Sequence, residues 1–514
     1  MGSLFLLLFL KDVLIMLESI ANINSAVNGV IWGVPALVLL VGTGFLMTFM
    51  TKFFQFSHFG HTIKETVGSL FKKKDILKNT EKGQVSQFQA MCTALSATIG
   101  TGNIAGIALA ITMGGPGAIF WMWIAAIVGM MTNYSENVLG IFFRRKNAEG
   151  EWCGGSMYFL QDGLGSYKGC KYIGKALAVL FSIFAVVASF GIGNMGQVGS
   201  IKDSIRTLIP NMGDHAFSFM VGGIVAFAAA LVILGGLQRI ASANEKIVPF
   251  MSVFYIIGSL IIIGMNYDKI LPAFSAIFSN AFTPAAAAGG VTGAALKMAI
   301  TWGFKRGVFS NEAGLGSSVM VHSSSNVKEP VVQGLWGIFE VFFDTIIVCT
   351  MTALVILTSG VVDMNTGESI SGATKLGLAT EAFTNHFGTF GGIFIAVAIT
   401  LFAFSTVLGW SYYGSKAWEY LFKGKGVKVY KVIFIAMIVA CCVLDTSLAV
   451  DLSDTFNGLM MIPNLIGVIA LSGLVVKITN NYKDRILKGK DIKPMLSVFP
   501  EIQEEHEKAI AQDK

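Results

Sequence analysis

Eleven apolar segments of transmembrane length, separated by basic loops or by turns of glycine and proline, leave this chain of 514 residues few folds to choose from. They fall at about 28–50, 86–113, 117–142, 174–205, 215–236, 243–265, 291–322, 331–358, 388–422, 430–447 and 454–477. A backbone inside a bilayer has no water to bond to, so apolar runs of about 20 residues predict helices; a membrane barrel instead alternates over about 10-residue strands. Charged residues make up 13% of the chain, where a soluble protein carries about a quarter. The predicted class is an all-α integral membrane protein.

Basic residues set the expected orientation. Lys52, Lys64, Lys72, Lys73, Lys74, Lys78 and Lys82 follow the first span, and Arg144, Arg145 and Lys146 follow the third. Arg239 and Lys246 border the next such loop, and Lys423, Lys425, Lys428 and Lys431 follow the ninth span. The alternate loops are poor in them. This alternation puts the N-terminus outside and the C-terminus in the cytoplasm, in the cell membrane. The expected divisions are an interfacial segment 1–27, an extra first span 28–50 and a cytoplasmic loop 51–85. A five-helix block 86–265, an extracellular connector 266–290, a second five-helix block 291–477 and a cytoplasmic tail 478–514 follow.

Two spans carry polar interruptions. Ser96-Ala-Thr-Ile-Gly-Thr-Gly-Asn103 lies mid-span, where glycines, threonines and an asparagine weaken a helix. A helix broken there offers N–H groups from its second half and carbonyls from its first, which suits a carboxylate and a cation side by side. The plain alternative is a small-residue face for tight packing, which suits Gly106 and Ala108 better than it suits Asn103. The seventh span is interrupted at Trp302–Gly307 and again at Ser310–Gly316. Each five-span block therefore opens with a broken helix. Because five is odd, the second block enters from the opposite side, giving a five-plus-five inverted repeat of the secondary-transporter kind.

Four runs carry a resemblance: Ala97-Thr-Ile-Gly-Thr-Gly-Asn-Ile-Ala-Gly106, Gly114-Gly-Pro-Gly117, Cys153-Gly-Gly-Ser-Met-Tyr158 and Gly303-Phe-Lys-Arg-Gly-Val-Phe-Ser-Asn-Glu-Ala-Gly-Leu-Gly-Ser317. Over about 28–480 the chain resembles the alanine/glycine:cation symporter family. The resemblance implies sodium-driven uptake of alanine or glycine on the fold first associated with the leucine transporter. It also implies a sodium site made by the hydroxyls of Ser405 and Thr406 with the carbonyls of Ser96 and Ile99. Phe402 departs from that pattern, since only its backbone can serve. The alternative for Ser405 and Thr406 is bonding back to their own helix.

The chemistry of the residues agrees. A zwitterion needs N–H donors for its carboxylate and carbonyls for its ammonium. Thr98, Thr101, Gly102 and Asn103 form the first break, and Thr301, Trp302 and Gly303 offer carbonyls at the second. Asn194 and Gln197, three apart on one helical face, are either substrate contacts or glue between helices. Phe190, Trp302 and Trp410 are candidates to close a methyl-sized pocket, Trp410 lying one turn beyond Thr406.

Glu340 and Asp344, four apart, keep a proton-coupled carrier as an alternative. Lys305, Arg306 and Glu312 are their candidate partners. A broader neutral amino-acid carrier, for glutamine for example, is the other. No HExxH or GxSxG stands in a span, so the chain is not expected to be an enzyme, and its histidines fall in loops or at span ends. Sodium is the expected coupling ion, with no organic cofactor. The expected partners are a small neutral amino acid and lipid, with no nucleic acid and no obligate protein.

Overall fold

The computed structural model describes residues 2–71, 83–147, 150–282, 292–444 and 446–512. The basic cluster Lys72–Lys82 and the end of the expected connector, 283–290, lie outside the described residues. The described chain is almost wholly helical, with one antiparallel hairpin of Arg145–Lys146 and Trp152–Cys153.

Among the described residues seven helices are long and apolar enough to cross a membrane, and two bent pairs raise the number to nine. The seven are Met16–Met50, Gly117–Phe142, Lys171–Arg206, Asp214–Ile233, Gly236–Met265, Pro330–Thr358 and Thr389–Phe422. The bent ones are Gln87–Thr98 with Thr101–Gly114 and Ser447–Ala470 with Ser472–Leu487, each turning by 59°. Two further helices, Thr292–Asn311 and Val427–Val443, occupy the remaining apolar segments. The first contains Lys297, Lys305 and Arg306, and the second has only 17 residues.

The first break forms where glycine and threonine weaken the helix. The second departs from expectation. Trp302–Gly307 is not an interruption: Thr292–Asn311 runs through it as one helix. Gly303 serves close approach, because a Cβ there would collide with the Ala118 carbonyl, and at Gly307 it would crowd Ala125 at 3.2 Å. These two glycines press the helix onto Gly117–Phe142, the packing use of small residues in membranes. The chain breaks only after Asn311, where Glu312 takes φ 55°, Gly314 φ 94° and Gly316 φ 74°. A short helix, Val319–His322, follows.

At the N-terminus the helix Gly2–Ile31 steps at Trp32–Gly33 into Val34–Met50, so residue 27 falls inside a helix. In the expected connector 266–290, the helix Ile270–Phe282 packs on Gly117–Phe142, and Trp121 Nε1 donates to the Ala281 carbonyl (2.9 Å).

The charged tail does not run free. Val498 N donates to the Phe142 carbonyl (3.1 Å), which brings the helix Pro500–Gln512 against the hairpin. There Lys146 Nζ meets Glu505 Oε1 at 3.0 Å, and the His506 ring lies 5.9 Å from that of Trp152. His506 is buried, and its Nδ1 has no hydrogen-bond partner. Burial pushes its pKa down to about 3, helped by the positive charges of Arg144, Lys146 and Lys328. The docked histidine is therefore neutral, while a released one titrates near 6.5. Docking is at full strength above that value and weakens as pH falls below it, by roughly tenfold per unit. Limited proteolysis of the tail is expected to accelerate from pH 7 to pH 5, and His506→Phe should remove most of that dependence. A tail equally protected at both values would contradict the linkage.

Candidate functional site

Ser86 starts the first broken helix by accepting from Gln89 N (3.1 Å), while the Gln89 side chain accepts from Ser86 N (3.2 Å). The helix stops at Ile99, and Gly100 is extended. Asn103 then folds back into the gap. Its Oδ1 accepts from Gly100 N (2.9 Å), and its Nδ2 donates to Asp344 Oδ1 (2.6 Å). Asn103 thus satisfies the broken backbone itself. Thr98 turns its hydroxyl to Ala94 and Leu95 carbonyls of its own helix (3.4 and 3.3 Å).

Beyond the break, Thr101 N and Thr101 Oγ1 both point at Gln197 Oε1 (3.4 and 3.1 Å). Thr101, Gly102 and Gln197 line a cavity of about 260 Å³, together with Ile192, Arg306 and Phe309, and Lys375 stands at its edge. Gln197 comes to this cavity from a helix that widens into a π-type turn at Gly191–Met195. Such turns leave backbone groups underused and recur at functional sites. Asn194, in the same turn, faces away: its Nδ2 donates to the Phe434 carbonyl (2.7 Å). The structure therefore brings Gln197 to the cavity and sends Asn194 into helix packing.

Thr301, Trp302 and Gly303 do not reach the cavity. They lie inside an unbroken helix, whose carbonyls are turned to N–H groups four residues on. The ammonium cradle expected there is not formed. Trp410 is also displaced from its expected place: it is buried against Gly193, and its Nε1 donates to Glu312 Oε1 (3.1 Å). Phe190 packs on Tyr430 and Phe434. The aromatic residue that does face the cavity is Phe309, 3.3 Å from where a Gly102 Cβ would lie.

The oxygen groups expected for a cation divide. Thr406 Oγ1 lies 2.9 Å from the Ser96 carbonyl and 2.9 Å from that of Phe402, so it reaches across to the broken helix. A Cβ on Gly100 would sit 2.8 Å from this hydroxyl, so the chain passes Thr406 only because position 100 is glycine. Ser405 Oγ instead donates to the Phe402 carbonyl (2.9 Å) and approaches Met251 Sδ (3.3 Å). Ser96, Thr406 and Phe402 supply neutral oxygens beside the end of the first half-helix at Ile99, a donor set suited to a monovalent hard cation.

Behind the breaks lies a buried polar network. Asp344, on a second π-type turn at Phe342–Cys349, accepts from Asn103, from Ser310 Oγ (2.8 Å) and from Thr345 Oγ1 (2.7 Å). It ties both broken helices together. Glu312 accepts from Ser317 Oγ (2.5 Å) and Trp410, and Glu136 accepts from Asn464, which also donates to the Gly314 carbonyl (2.8 Å). Glu340 Oε2 meets His322 Nε2 at 3.0 Å and Asn133 Nδ2 at 3.4 Å. Lys305 and Arg306, the expected partners of these acids, point elsewhere, onto Trp32, Trp302 and Phe309. His322, expected at a span end, is fully buried as the partner of Glu340.

Asn103→Leu removes a donor from a buried carboxylate and an acceptor from Gly100 N–H. Each loss costs about 1–3 kcal/mol. The variant is expected to show a markedly lower thermal midpoint in detergent. Gly106→Ala is expected to be neutral, because its Cβ would meet only Arg306 Cδ, at 3.7 Å. Equal midpoints for Asn103→Leu and the unaltered protein would remove Asn103 from its place in the break.

Comparison with known proteins gives the family. The sequence model of the sodium:alanine symporter family matches residues 17–495. "Sodium/alanine symporter AgcS" of Methanococcus maripaludis is 42% identical over 463 residues, covering 90% of this chain and 97% of that one. "Probable sodium/glutamine symporter GlnT" of Bacillus subtilis is 35% identical, with 93% of each chain covered. Among solved structures, MhsT in complex with L-phenylalanine superposes with a TM-score of 0.50 at 13% identity, over 78% of this chain and 99% of that one, a likeness of fold. With a family match over nearly its whole length, the chain belongs to the sodium:alanine symporter family.

Proposed function

We propose that this chain is a sodium-coupled carrier of alanine or glycine that works by alternating access. Membership of the family supports cation-coupled amino-acid transport by a multi-pass plasma-membrane protein. The observation that carries the finer reading is the meeting of Thr406 Oγ1 with the Ser96 carbonyl, beside a break whose Thr101 and Gly102 face a cavity. In this reading the cation sits among the oxygens of Ser96, Ile99 and Thr406, with Ser405 behind them. The amino acid sets its carboxylate against the Thr101 and Gly102 amides, next to Gln197. Thr98, Asn103 and Asn194 shape this site from behind. Trp410 supports it from the side of the second break.

The same reading takes Thr292–Asn311 and Val427–Val443 as spans, which with the nine above makes eleven. The blocks 86–265 and 291–477 are then inverted repeats, each opening with a broken helix, after the extra span 28–50. The N-terminus lies outside. The hairpin and the docked tail lie in the cytoplasm, with the lysine-rich segment 51–85.

A second reading rests on the cavity. At about 260 Å³ it holds more than alanine, and one relative bears the name of a glutamine symporter. Uptake of labelled alanine into proteoliposomes, with competition by glycine, serine, glutamine and leucine, separates the two. Saturable, sodium-gradient-driven uptake with counterflow is expected, alanine and glycine competing best. Strongest competition by glutamine would favour the broader carrier, and uptake indifferent to sodium would sink both.

Thr406→Ala is expected to raise the sodium concentration for half-maximal uptake by about tenfold or more, the worth of one contact to a charged group. Ser405→Ala, whose hydroxyl faces Met251, should have a smaller effect. Equal effects of the two would place the ion elsewhere on the helix.

A further inference from the structure

Arg306 lines the cavity, and its guanidinium forms no hydrogen bond or ion pair with any described residue. It lies over two rings instead, 5.3 Å from the centroid of Trp302 and 5.4 Å from that of Phe309. Its Nε is sealed from solvent without a partner. Asp454 acts on it only at a distance and is itself held by Asn28 Nδ2 (2.9 Å). An arginine presents five N–H donors in a rigid fork, and a largely buried charge with no acceptor is costly. The four acids of the polar network all find partners elsewhere, so no acid of that network serves this arginine.

Along the second half of the broken helix Phe309 lies against Gly102, and one turn further along the chain Arg306 Cδ lies 3.7 Å from where a Gly106 Cβ would stand. Glycine at 106 leaves room beside the guanidinium. Lys375 stands at the edge and adds positive charge, which draws the anionic end of a zwitterion inward first. A planar fork matches a carboxylate with two parallel bonds, which a halide cannot return.

We propose that Arg306 is the carboxylate-docking residue of an outer subsite. An incoming amino acid places its α-carboxylate on this guanidinium, with the Phe309 ring between it and the amides of Thr101 and Gly102. The assignment rests on the amino-acid carrier reading above and adds a first binding position to it. Arg306 thereby acts on capture and not on the later steps, a role that changes KM and leaves the maximal rate in place.

The test is initial-rate uptake of labelled alanine by proteoliposomes of the full chain under a fixed sodium gradient. Arg306→Gln is expected to raise KM for alanine by about tenfold or more, the usual worth of a charge-assisted pair, with the maximal rate within about twofold. Arg306→Lys keeps the charge and the aliphatic stem but loses the fork, so KM should rise by about threefold or more. An unchanged KM in Arg306→Gln, or a fallen maximal rate with KM unchanged, would overturn the assignment. If Arg306→Gln fails to insert, an unchanged KM in Arg306→Lys overturns it equally. Absence of saturable alanine uptake by the unaltered protein removes the carrier reading and this subsite with it. Normal uptake there with insensitive variants removes the subsite alone.

Discussion

The carboxylate of Asp344 holds the centre of this molecule together. It takes one donor from Asn103, which closes the first helix break, and one from Ser310, at the end of the helix before the second. A third comes from Thr345, on its own turn. A carboxylate in a membrane interior is tolerated only when its lone pairs are met. Here two of the donors come from segments 241 and 34 residues away in sequence, one at each break, so meeting them fixes where both breaks lie. Losing any one donor leaves the others with a buried charge to hold, which is why single substitutions in such a knot cost more than the bond they remove.

Glycine decides how closely the neighbouring helices approach that knot. Gly409 lets Thr389–Phe422 lie on the first broken helix, where a Cβ would stand 2.8 Å from Ser96 Oγ. Gly100 makes room for Thr406, and Gly193 for the Trp410 ring. Without a strong hydrophobic drive between helices in lipid, close contact of this kind supplies much of the association. The breaks therefore do not float in a loose centre. They are clamped by helices whose glycines permit close contact, and Thr101 and Gly102 of the first break face the cavity.

The sequence made the membrane class, the helical segments and the first break legible, because apolar length and mid-span glycine act locally. The second break was placed partly wrong for the same local reason. Gly303 and Gly307 look like helix breakers in isolation, but Ala118 and Ala125 on a distant segment turn them into contact points. Trp410 was placed near the cavity from its one-turn spacing to Thr406. Its ring is instead drawn to Glu312, a partner 98 residues earlier that no periodicity announces. The same holds for His322 and Glu340, which meet across a turn. The π-type turns at Gly191–Met195 and Phe342–Cys349 were invisible, since widening by one residue leaves the apolar pattern nearly intact; yet Gln197 follows the first and Asp344 lies in the second.

The cavity is lined by single side chains, Lys375 among them, whereas a set of buried polar pairs stands apart from its lining. Trp410 pairs with Glu312, Asn464 with Glu136 and Ser156, and His322 with Glu340. The Arg144 guanidinium holds the carbonyls of Ser325 (2.6 Å) and Val327 (2.5 Å). These layers are hydrogen bonds more than apolar area. An apolar seal of equal size resists water in proportion to the area exposed, about 25 cal/mol per Å². A polar layer exchanges each partner for water at a net loss of only about 1 kcal/mol. Among the described residues Glu136 Oε2 and Glu340 Oε1 have no hydrogen-bond partner, so these pairs keep buried acceptors that water can meet when the layers separate, and the cost of wetting them falls further.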